Sequence, residues 1–305
     1  MAKEIAIIGI PMDFGQLLRG VDMGPSAVRY TGLVSKLRAL GHRVEDLGDI
    51  RIPIRDCDTE SCLNGRAQKV DKSKYVREIT GICESIYEKG RKAREKGQVP
   101  LFIGGDHSIA IGTVAAVTDD EPSGLIWIDA HADFNTPATS PSGNIHGMPL
   151  AALLGEGHES LVNVGRPGAK LLPENVALIA QRDLDPGEKK RLKTSRISVF
   201  TMRDIDEQGI SAVANKALIK FAHLKKIHLT LDMDALDPLE APGVGTPVPG
   251  GMTYREAHLL MEIFADSGKL TSMDLVEINP ILDKANKTAE LAVELVLSAM
   301  GKSIL

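Results

Sequence analysis

Acidic and histidine side chains alternate at the end of one apolar run of the chain. In the segment "LIWIDAHADFN", Asp129, His131 and Asp133 occupy every second position. Alternate side chains of an extended strand point to the same face, roughly 6.6 Å apart. Asp232 and Asp234 repeat this spacing in "LTLDMDALDP". Because an unpaired buried carboxylate costs several kcal/mol or becomes protonated, four of them at one place require a cation.

Metal ions are the simplest source of that positive charge, since neither motif contains a lysine or arginine. With His107 and His131 as nitrogen ligands, the six side chains are too many for one ion and suit two divalent ions about 3.5–4 Å apart. Oxygen-rich ligands without thiolate favour Mn²⁺ over a cysteine-type zinc site. Two such ions lower the pKa of a shared water, which indicates a hydrolase. Phosphoryl transfer is the competing chemistry, but the sequence has no P-loop motif.

Eight short apolar runs predict the strands that must position these groups. They are residues 4–10, 43–47, 99–103, 124–129, 175–180, 197–201, 227–232 and 271–276. Helical patterns cover residues 24–40, 73–96, 108–118, 187–193, 209–223, 253–266 and 287–300. Continuously apolar strands alternating with helices are typical of a parallel sheet covered on both faces. We therefore predict a single α/β domain over residues 1–305, with three α-β-α layers around a central, mostly parallel sheet of about eight strands.

Polar motifs follow five of the predicted strands. These motifs are "GGDHS", "DAHADFN", "QRDLDPGE", "DMDALDP" and "EINP". In an open parallel sheet, ligands bind beyond the carboxyl ends of the strands. The five motifs therefore predict one functional site at that edge of the sheet.

Composition excludes several other classes of protein. The 305 residues carry a net charge of −5, which argues against nucleic acid as a partner. No stretch of 18 apolar residues predicts a membrane span, and the N-terminus has no signal-peptide pattern. Cys57, Cys62 and Cys83 are too few and too irregularly spaced for a metal finger, so we expect a reduced, cytoplasmic protein. The polar stretch 50–72 is expected to be a surface excursion.

The motifs taken together resemble those of the arginases, within the ureohydrolase family. The resemblance runs from "GIPMDFGQLLRGVDMGPSAVRY" through "GGDHS", "DAHADFNT", "RDLDPGE", "LDMDALDP" and "GVGTPVPGG" to "VEINP". The metal motifs are common to the family and do not choose the substrate. The segment "TSPSGNIHGMPLA" is more diagnostic, because agmatinase-like relatives usually lack this loop.

The resemblance implies two Mn²⁺ per subunit and a division of their ligands. The first ion is assigned to His107, Asp129, Asp133 and Asp232. The second ion is assigned to Asp129, His131, Asp232 and Asp234. In this arrangement Asp129 and Asp232 bridge the ions. The resemblance also implies a homo-oligomer, either a trimer or a hexamer of two trimers.

The implied reaction is hydrolysis of L-arginine to L-ornithine and urea, by attack of hydroxide on the guanidinium carbon. His146 matches the family's proton shuttle, and Glu277 matches the carboxylate that receives the guanidinium. A planar guanidinium suits a carboxylate, and a histidine titrates near neutral pH. Asp133 is expected to relay the proton of the attacking hydroxide.

The resemblance also assigns residues to the amino-acid end of the substrate. Asn135, Ser142 and Asp185 match groups that hold the α-carboxylate and α-amino ends, and Thr246 lines the cleft. Other interpretations exist for two of them. Asp185 precedes a proline and a predicted helix, so it also fits an N-cap. Thr246, in "GVGTPVPGG", also fits a purely structural role.

Alternative functions remain at this point. One is another ureohydrolase of the agmatinase, guanidinobutyrase or formimidoylglutamase type, and another is a catalytically silent relative that keeps the fold. All six metal-ligand positions are present, which argues against the silent relative. Asp237 fits an Asp-Pro turn better than a ligand. Ala132 and Phe134 depart from the residues usual at those spacer positions, and Gln181 stands where a small residue is more usual.

Overall fold

Eight strands form one parallel sheet at the centre of the protein. The computed structural model describes residues 2–53, 75–118 and 121–304. The strands are β1 (Glu4–Gly9), β2 (Arg43–Asp49), β3 (Val99–Ile103), β4 (Ser123–Ile128), β5 (Val176–Gln181), β6 (Ser198–Thr201), β7 (Lys226–Asp232) and β8 (Leu270–Val276). Their order is β2-β1-β3-β8-β7-β4-β5-β6, and all neighbouring strands are parallel. Each predicted strand overlaps one of these, so the predicted α/β fold is confirmed.

Helices connect the strands and cover the sheet. In the described residues they are α1 (Gly24–Tyr30), α2 (Leu33–Ala39), α3 (Val76–Glu95), α4 (Ala110–Val117), α5 (Pro149–Leu153), α6 (Glu159–Val162), α7 (Pro186–Thr194), α8 (Met202–Gln208), α9 (Ile210–Lys220), α10 (Tyr254–Asp266) and α11 (Lys287–Ala299). The prediction of one helix over residues 24–40 was wrong. Gly32 has a φ of 80°, a left-handed conformation that separates α1 from α2.

The apolar faces of the sheet explain why the strands are continuously hydrophobic. Along β4, Ile126 and Ile128 belong to a core that includes residues of α1, α2, α9, α10 and α11. Leu125 and Trp127 belong to a core on the opposite face, with residues of α4, α5 and α7. All four side chains are fully buried, and each such burial contributes about 1.5–3 kcal/mol. The sheet lies between helices on both faces, with one of these cores on each side, so the fold has three layers. This packing holds the strand ends in place.

Some sequence expectations fall on other parts of the chain. Of the predicted surface excursion 50–72, residues 54–72 lie outside the described residues, as do Cys57 and Cys62. Cys83 is a buried free thiol. Asp237 accepts backbone N–H groups from Leu239, Gly250 and Gly251, in agreement with a turn. Among the described residues, no helix combines the length and apolar character that crossing a membrane requires.

Candidate metal centre and substrate cleft

His107 lies in the segment that follows β3 and is the first residue of a short 3₁₀ turn. Asp106 caps this turn, because its Oδ1 accepts the N–H of Ser108 at 3.0 Å. The other oxygen of Asp106 accepts the N–H of Gly15 at 2.8 Å. The loop after β1 and the loop after β3 are therefore joined through one buried carboxylate. This junction fixes the backbone from which the His107 ring extends.

The first cluster of charged groups surrounds His107 Nδ1. Carboxylate oxygens of Asp129, Asp133 and Asp232 each lie 3.1 Å from this nitrogen. The ring is fully buried, and Nδ1 has no well-formed hydrogen bond. A single ring nitrogen facing three carboxylates is poorly satisfied by hydrogen bonding alone. The arrangement is instead typical of ligand atoms that bind one cation together.

The second cluster surrounds His131 and shares a carboxylate with the first. His131 Nδ1 lies 3.4 Å from Asp129 Oδ1 and 3.1 Å from Asp234 Oδ2. Asp129 therefore turns one oxygen toward His107 and the other toward His131. The structure thus places all six predicted ligand positions at one site, with Asp129 between the two histidines.

The spacing of these atoms fits a divalent cation. Metal bonds from nitrogen or carboxylate oxygen measure about 2.0–2.2 Å, which places neighbouring ligands about 3.0–3.4 Å apart. Ligand atoms of His107, Asp129 and Asp133, and separately of Asp129, His131 and Asp234, all lie within 4.8 Å of one another. The distances from the histidine nitrogens to the carboxylate oxygens are 3.1–3.4 Å. The oxygen-rich donor sets and the orphaned Nδ1 of His107 therefore fit two hard or borderline ions.

The electrostatics of the cluster agree with this need for positive charge. Burial lowers the pKa of the His107 and His131 rings, but the carboxylates around them outweigh burial and raise both pKa values. Burial, followed by repulsion from Asp129, raises the pKa of Asp133 to about 6. Burial and neighbouring carboxylates raise the pKa of Asp232 well above its usual value. Each of these shifts favours added positive charge, which bound cations would supply in place of protons.

A second layer of side chains orients the candidate ligands. His107 Nε2 lies 2.9 Å from Thr230 Oγ1, and Trp127 Nε1 donates to Asp129 Oδ2 at 2.9 Å. The indole also stacks on the His107 ring, with ring centres 4.1 Å apart. The sequence analysis did not assign Trp127. The signal was its position two residues before Asp129, since alternate residues of a strand share one face.

Trp127→Phe tests this second layer. The phenyl ring keeps the stacking on His107 but removes the N–H donated to Asp129. Because partners of metal ligands typically change affinity 10–100-fold, we expect the Mn²⁺ concentration for half-maximal activity to rise by about tenfold. Because Trp127 is fully buried, the smaller ring also leaves a cavity and lowers the melting temperature. The Mn²⁺ requirement is therefore compared at a temperature at which both metal-free forms are folded. An unchanged Mn²⁺ requirement would show that the indole N–H does not support the site.

Glu277 and His146 lie together beside the first cluster. Glu277 directly follows β8, and its Oε1 accepts the backbone N–H of His107 at 2.9 Å. The same oxygen lies 3.2 Å from His146 Nδ1, while Oε2 accepts from Gln16 Nε2 at 2.9 Å. The backbone N–H of His146 donates to Gly15 at 3.1 Å. The loop that contains Gly15 and Gln16 therefore positions both groups, a role that the sequence analysis missed.

Two of these acidic residues have unusual backbone geometry. Asp133 has a φ of 49°, and Glu277 has a φ of 63°. The left-handed region is unfavourable for residues other than glycine by roughly 1–3 kcal/mol, and such residues concentrate at functional sites. Glu277 turns the chain immediately beyond β8, and Asp133 turns it within the loop that follows β4. Each presents a carboxylate at the site.

Two of the predicted substrate residues contact each other. Asn135 Nδ2 donates to Asp185 Oδ2 at 2.8 Å. Asp185 is also the N-cap of α7, in a capping box with Glu188, so the structural interpretation of Asp185 is confirmed. Ser142 lies exposed in the following loop, where its Oγ accepts the N–H of Asn144. Thr246 donates to Asp234 Oδ2 at 2.9 Å and therefore contacts a candidate metal ligand.

The departures at Ala132 and Phe134 have a packing explanation. Ala132 is fully buried, and Phe134 is only 4% exposed, in the core shared with α7. The guanidinium of Arg191 lies 3.7 Å above the Phe134 ring, a favourable cation–π geometry. The backbone N–H of Phe134 donates to Glu188 Oε1 at 2.8 Å. Helix α7 therefore holds the loop on which the candidate ligands and Asn135 lie.

Gln181 and Arg182 support the two metal motifs from β5. Gln181 Nε2 donates to the carbonyls of Asp129 at 3.0 Å and His131 at 2.7 Å. The left-handed residue at this strand end is Ala180, with a φ of 72°. Arg182 Nη2 donates to the carbonyl of Asp234 at 2.6 Å. Gln181, which is larger than the residue expected at this position, therefore fixes the backbone at the candidate ligands Asp129 and His131 through its hydrogen bonds.

The likeness of the chain to known proteins extends over nearly its full length. The arginase family matches residues 3–301. The chain belongs to the arginase family. It is 49% identical over 309 residues to an arginase of Bacillus subtilis, with 100% of both chains covered. It is 47% identical over 313 residues to an arginase of Bacillus caldovelox, with 99% of this chain and 100% of that one covered.

A solved arginase structure gives the same result for the fold. The crystal structure of the arginase from Bacillus subtilis superposes with a TM-score of 0.92 at 49% identity, covering 99% of this chain and 100% of that chain. Membership of the arginase family makes this chain a hydrolase. The family and the enzyme class that the motifs predicted are therefore confirmed.

Proposed function

We propose that this chain hydrolyses L-arginine to L-ornithine and urea with two Mn²⁺ per subunit. The observation that carries the proposal is the pair of histidine-centred carboxylate clusters that share Asp129. Full-length identity to arginases of 49% and 47% supports the substrate. All described strands pair in one sheet, which supports a single domain over residues 1–305.

The proposed metal ligands follow the two clusters. One Mn²⁺ would be held by His107, Asp129, Asp133 and Asp232, and the other by Asp129, His131, Asp232 and Asp234. Asp232 Oδ1 accepts the N–H of Asp234 at 2.9 Å, which leaves Oδ2 as the oxygen that faces His107. When bound, the ions would supply positive charge and a water of lowered pKa.

The other acidic and basic groups have separate roles in the proposal. Glu277 receives the planar guanidinium, whose paired N–H groups suit a carboxylate. Orienting this group fixes the central carbon for attack, and such positioning contributes much of an enzymatic rate. Asp133 takes the proton that the attacking hydroxide releases and passes it to the ornithine nitrogen as the C–N bond breaks. His146, 3.2 Å from Glu277, carries the second proton, which converts the departing amine to an ammonium.

The proposed specificity depends on the amino-acid end of the substrate. Asn135 donates to the α-carboxylate, and Asp185 accepts from the α-amino group. Ser142, which is exposed in the loop after Asn135, makes a further contact with the α-carboxylate. Thr246 lines the cleft beside Asp234. Agmatine has no α-carboxylate, so it would leave the Asn135 donor unpaired. A buried polar group without its partner disfavours such a ligand by about 1–3 kcal/mol.

Urea release from three guanidino compounds tests the proposed substrate. Arginine, agmatine and guanidinobutyrate are compared in one assay with added Mn²⁺ and again after chelation. We expect kcat/KM for arginine to exceed that for agmatine by at least about tenfold, as about 1.4 kcal/mol implies. Chelation should remove the activity. Faster turnover of agmatine than of arginine would assign the chain a different substrate within its family.

We further propose that the enzyme is cytoplasmic and forms a homo-oligomer, either a trimer or a hexamer. The sparse, irregularly spaced cysteines support the compartment, and the resemblance to the family supports the assembly. Light scattering coupled to gel filtration measures the assembly, and a monomer at micromolar concentration would contradict it.

A further inference from the structure

The Asn135 side chain makes two hydrogen bonds of opposite direction. Its Nδ2 donates to Asp185 Oδ2 at 2.8 Å, and its Oδ1 accepts from Thr139 Oγ1 at 2.9 Å. A carboxylate only accepts, so the amide nitrogen must face Asp185 and the amide oxygen must face Thr139. Because Asn135 is only 4% exposed, these two hydrogen bonds fix the orientation of its amide.

The hydroxyl of Thr139 also has a defined direction. Its Oγ1 accepts the backbone N–H of Thr136 at 2.9 Å. The hydroxyl proton is then left for Asn135 Oδ1 at 2.9 Å, since the other acceptors, Thr136 Oγ1 and Thr136 O, are 3.4 and 3.5 Å away. Donors therefore run in one direction from Thr136 through Thr139 and Asn135 to Asp185. Aligned hydrogen bonds of this kind polarise and strengthen one another.

A turn and a helix hold Thr139 in this position. The backbone N–H of Thr139 donates to the Thr136 carbonyl at 3.0 Å, and Pro137 occupies the second position of this turn, where proline is favoured. On the other side, a Cβ at Gly187 would lie only 2.9 Å from Thr139 Cβ. The first turn of α7, which begins after Asp185, therefore packs directly against Thr139.

One N–H of the Asn135 amide remains after the bond to Asp185, because the group has two. The hydroxyl of Thr139, by donating to the amide oxygen, withdraws electron density and strengthens that remaining donor. A strong, fixed N–H suits an anionic acceptor such as a carboxylate. We propose that Thr139 is a positioning residue for the α-carboxylate of the substrate, acting through Asn135. This inference rests on the proposed function, in which Asn135 meets that carboxylate.

Thr139→Val and Thr139→Ser test the role of the hydroxyl. Valine keeps the shape of threonine and removes the hydroxyl, whereas serine keeps the hydroxyl and removes the methyl. We expect Thr139→Val to raise KM for L-arginine about tenfold with kcat within about twofold of wild type. Thr139→Ser should restore KM to within about threefold. The kcat/KM for agmatine should be nearly equal in all three proteins.

Direct binding separates this inference from the proposed function. Calorimetric titration with L-ornithine and with 1,4-diaminobutane compares ligands with and without the carboxylate, and it needs no turnover. Ornithine should bind Thr139→Val about tenfold more weakly than wild type, while the diamine should bind both equally. Equal ornithine affinity overturns the role of Thr139. A Thr139→Ser protein as defective as Thr139→Val also overturns it, because packing against Gly187 would then explain the loss.

Absence of urea release from the wild type overturns only the proposed function. Thr139→Ala provides a second variant without a hydroxyl if Thr139→Val does not fold. Equal losses on arginine and agmatine in either variant would identify a general structural defect and overturn the inference. Melting temperature and bound Mn²⁺ are measured on every variant for this comparison.

Discussion

Asp129→Ala should release at least one Mn²⁺ per chain and lower kcat/KM for arginine by about a thousandfold or more, ~4 kcal/mol of transition-state stabilisation. The reason is geometric, because Asp129 presents one oxygen to His107 and the other to His131. Its removal leaves both clusters short of a ligand. Metal analysis after gel filtration, together with urea release at saturating Mn²⁺, measures both effects.

Asp237→Ala is the matched control for the loss of a carboxylate. Asp237 lies in the same "LDMDALDP" motif as two candidate ligands, but its carboxylate accepts backbone N–H groups. This variant should keep its full metal content and most of its activity. Two bound ions and unimpaired turnover in Asp129→Ala would refute the proposed ligand assignment. Equal metal loss in both variants would instead indicate a general destabilisation.

His146→Ala should lower kcat by about a hundredfold while both metal ions remain bound. The reason is that a positioned acid or base typically increases the reaction rate by roughly 10²–10⁴-fold. His146 touches Glu277 at 3.2 Å, and it belongs to neither of the clusters that could hold metal. Single-turnover and steady-state rates of urea release, measured with metal content, check this outcome.

His223→Ala is the control for replacing a histidine. His223 is exposed and lies between α9 and the amino end of β7, whereas the site lies at the carboxyl ends of the strands, so this variant should behave as wild type. Loss of Mn²⁺ from His146→Ala would make His146 a ligand rather than a proton carrier. Full activity of His146→Ala would remove it from the mechanism.

The strands and the location of the site could be predicted because each depends on local sequence. Continuous apolar runs predict buried parallel strands, and in such a sheet the residues that follow them meet at one edge. Asp129 and Asp234 could therefore be placed together although they are far apart in the chain. Shorter elements, such as α8 (Met202–Gln208), span too few turns for periodicity to predict them.

The contacts behind the site could not be predicted from local sequence. Arg191 meets Phe134, and Arg182 meets the carbonyl of Asp234, only because β4, β5 and β7 lie near one another in the sheet. No spacing within one motif specifies such pairs. The break at Gly32 was missed for a different reason, since a glycine inside a helical pattern is compatible with either a helix or a turn.

The left-handed backbone at Asp133 and Glu277 has a consequence for engineering this protein. A search for thermostabilising substitutions that ranks positions by strained φ would select both residues for replacement by glycine, because glycine relieves the strain. At both positions the relief would remove a carboxylate that the proposed reaction uses. Ala180 and Ala285, with φ of 72° and 54°, have no such group. Thermostability and catalysis therefore compete at Asp133 and Glu277. Replacing Ala180 or Ala285 by glycine would leave the active-site carboxylates intact.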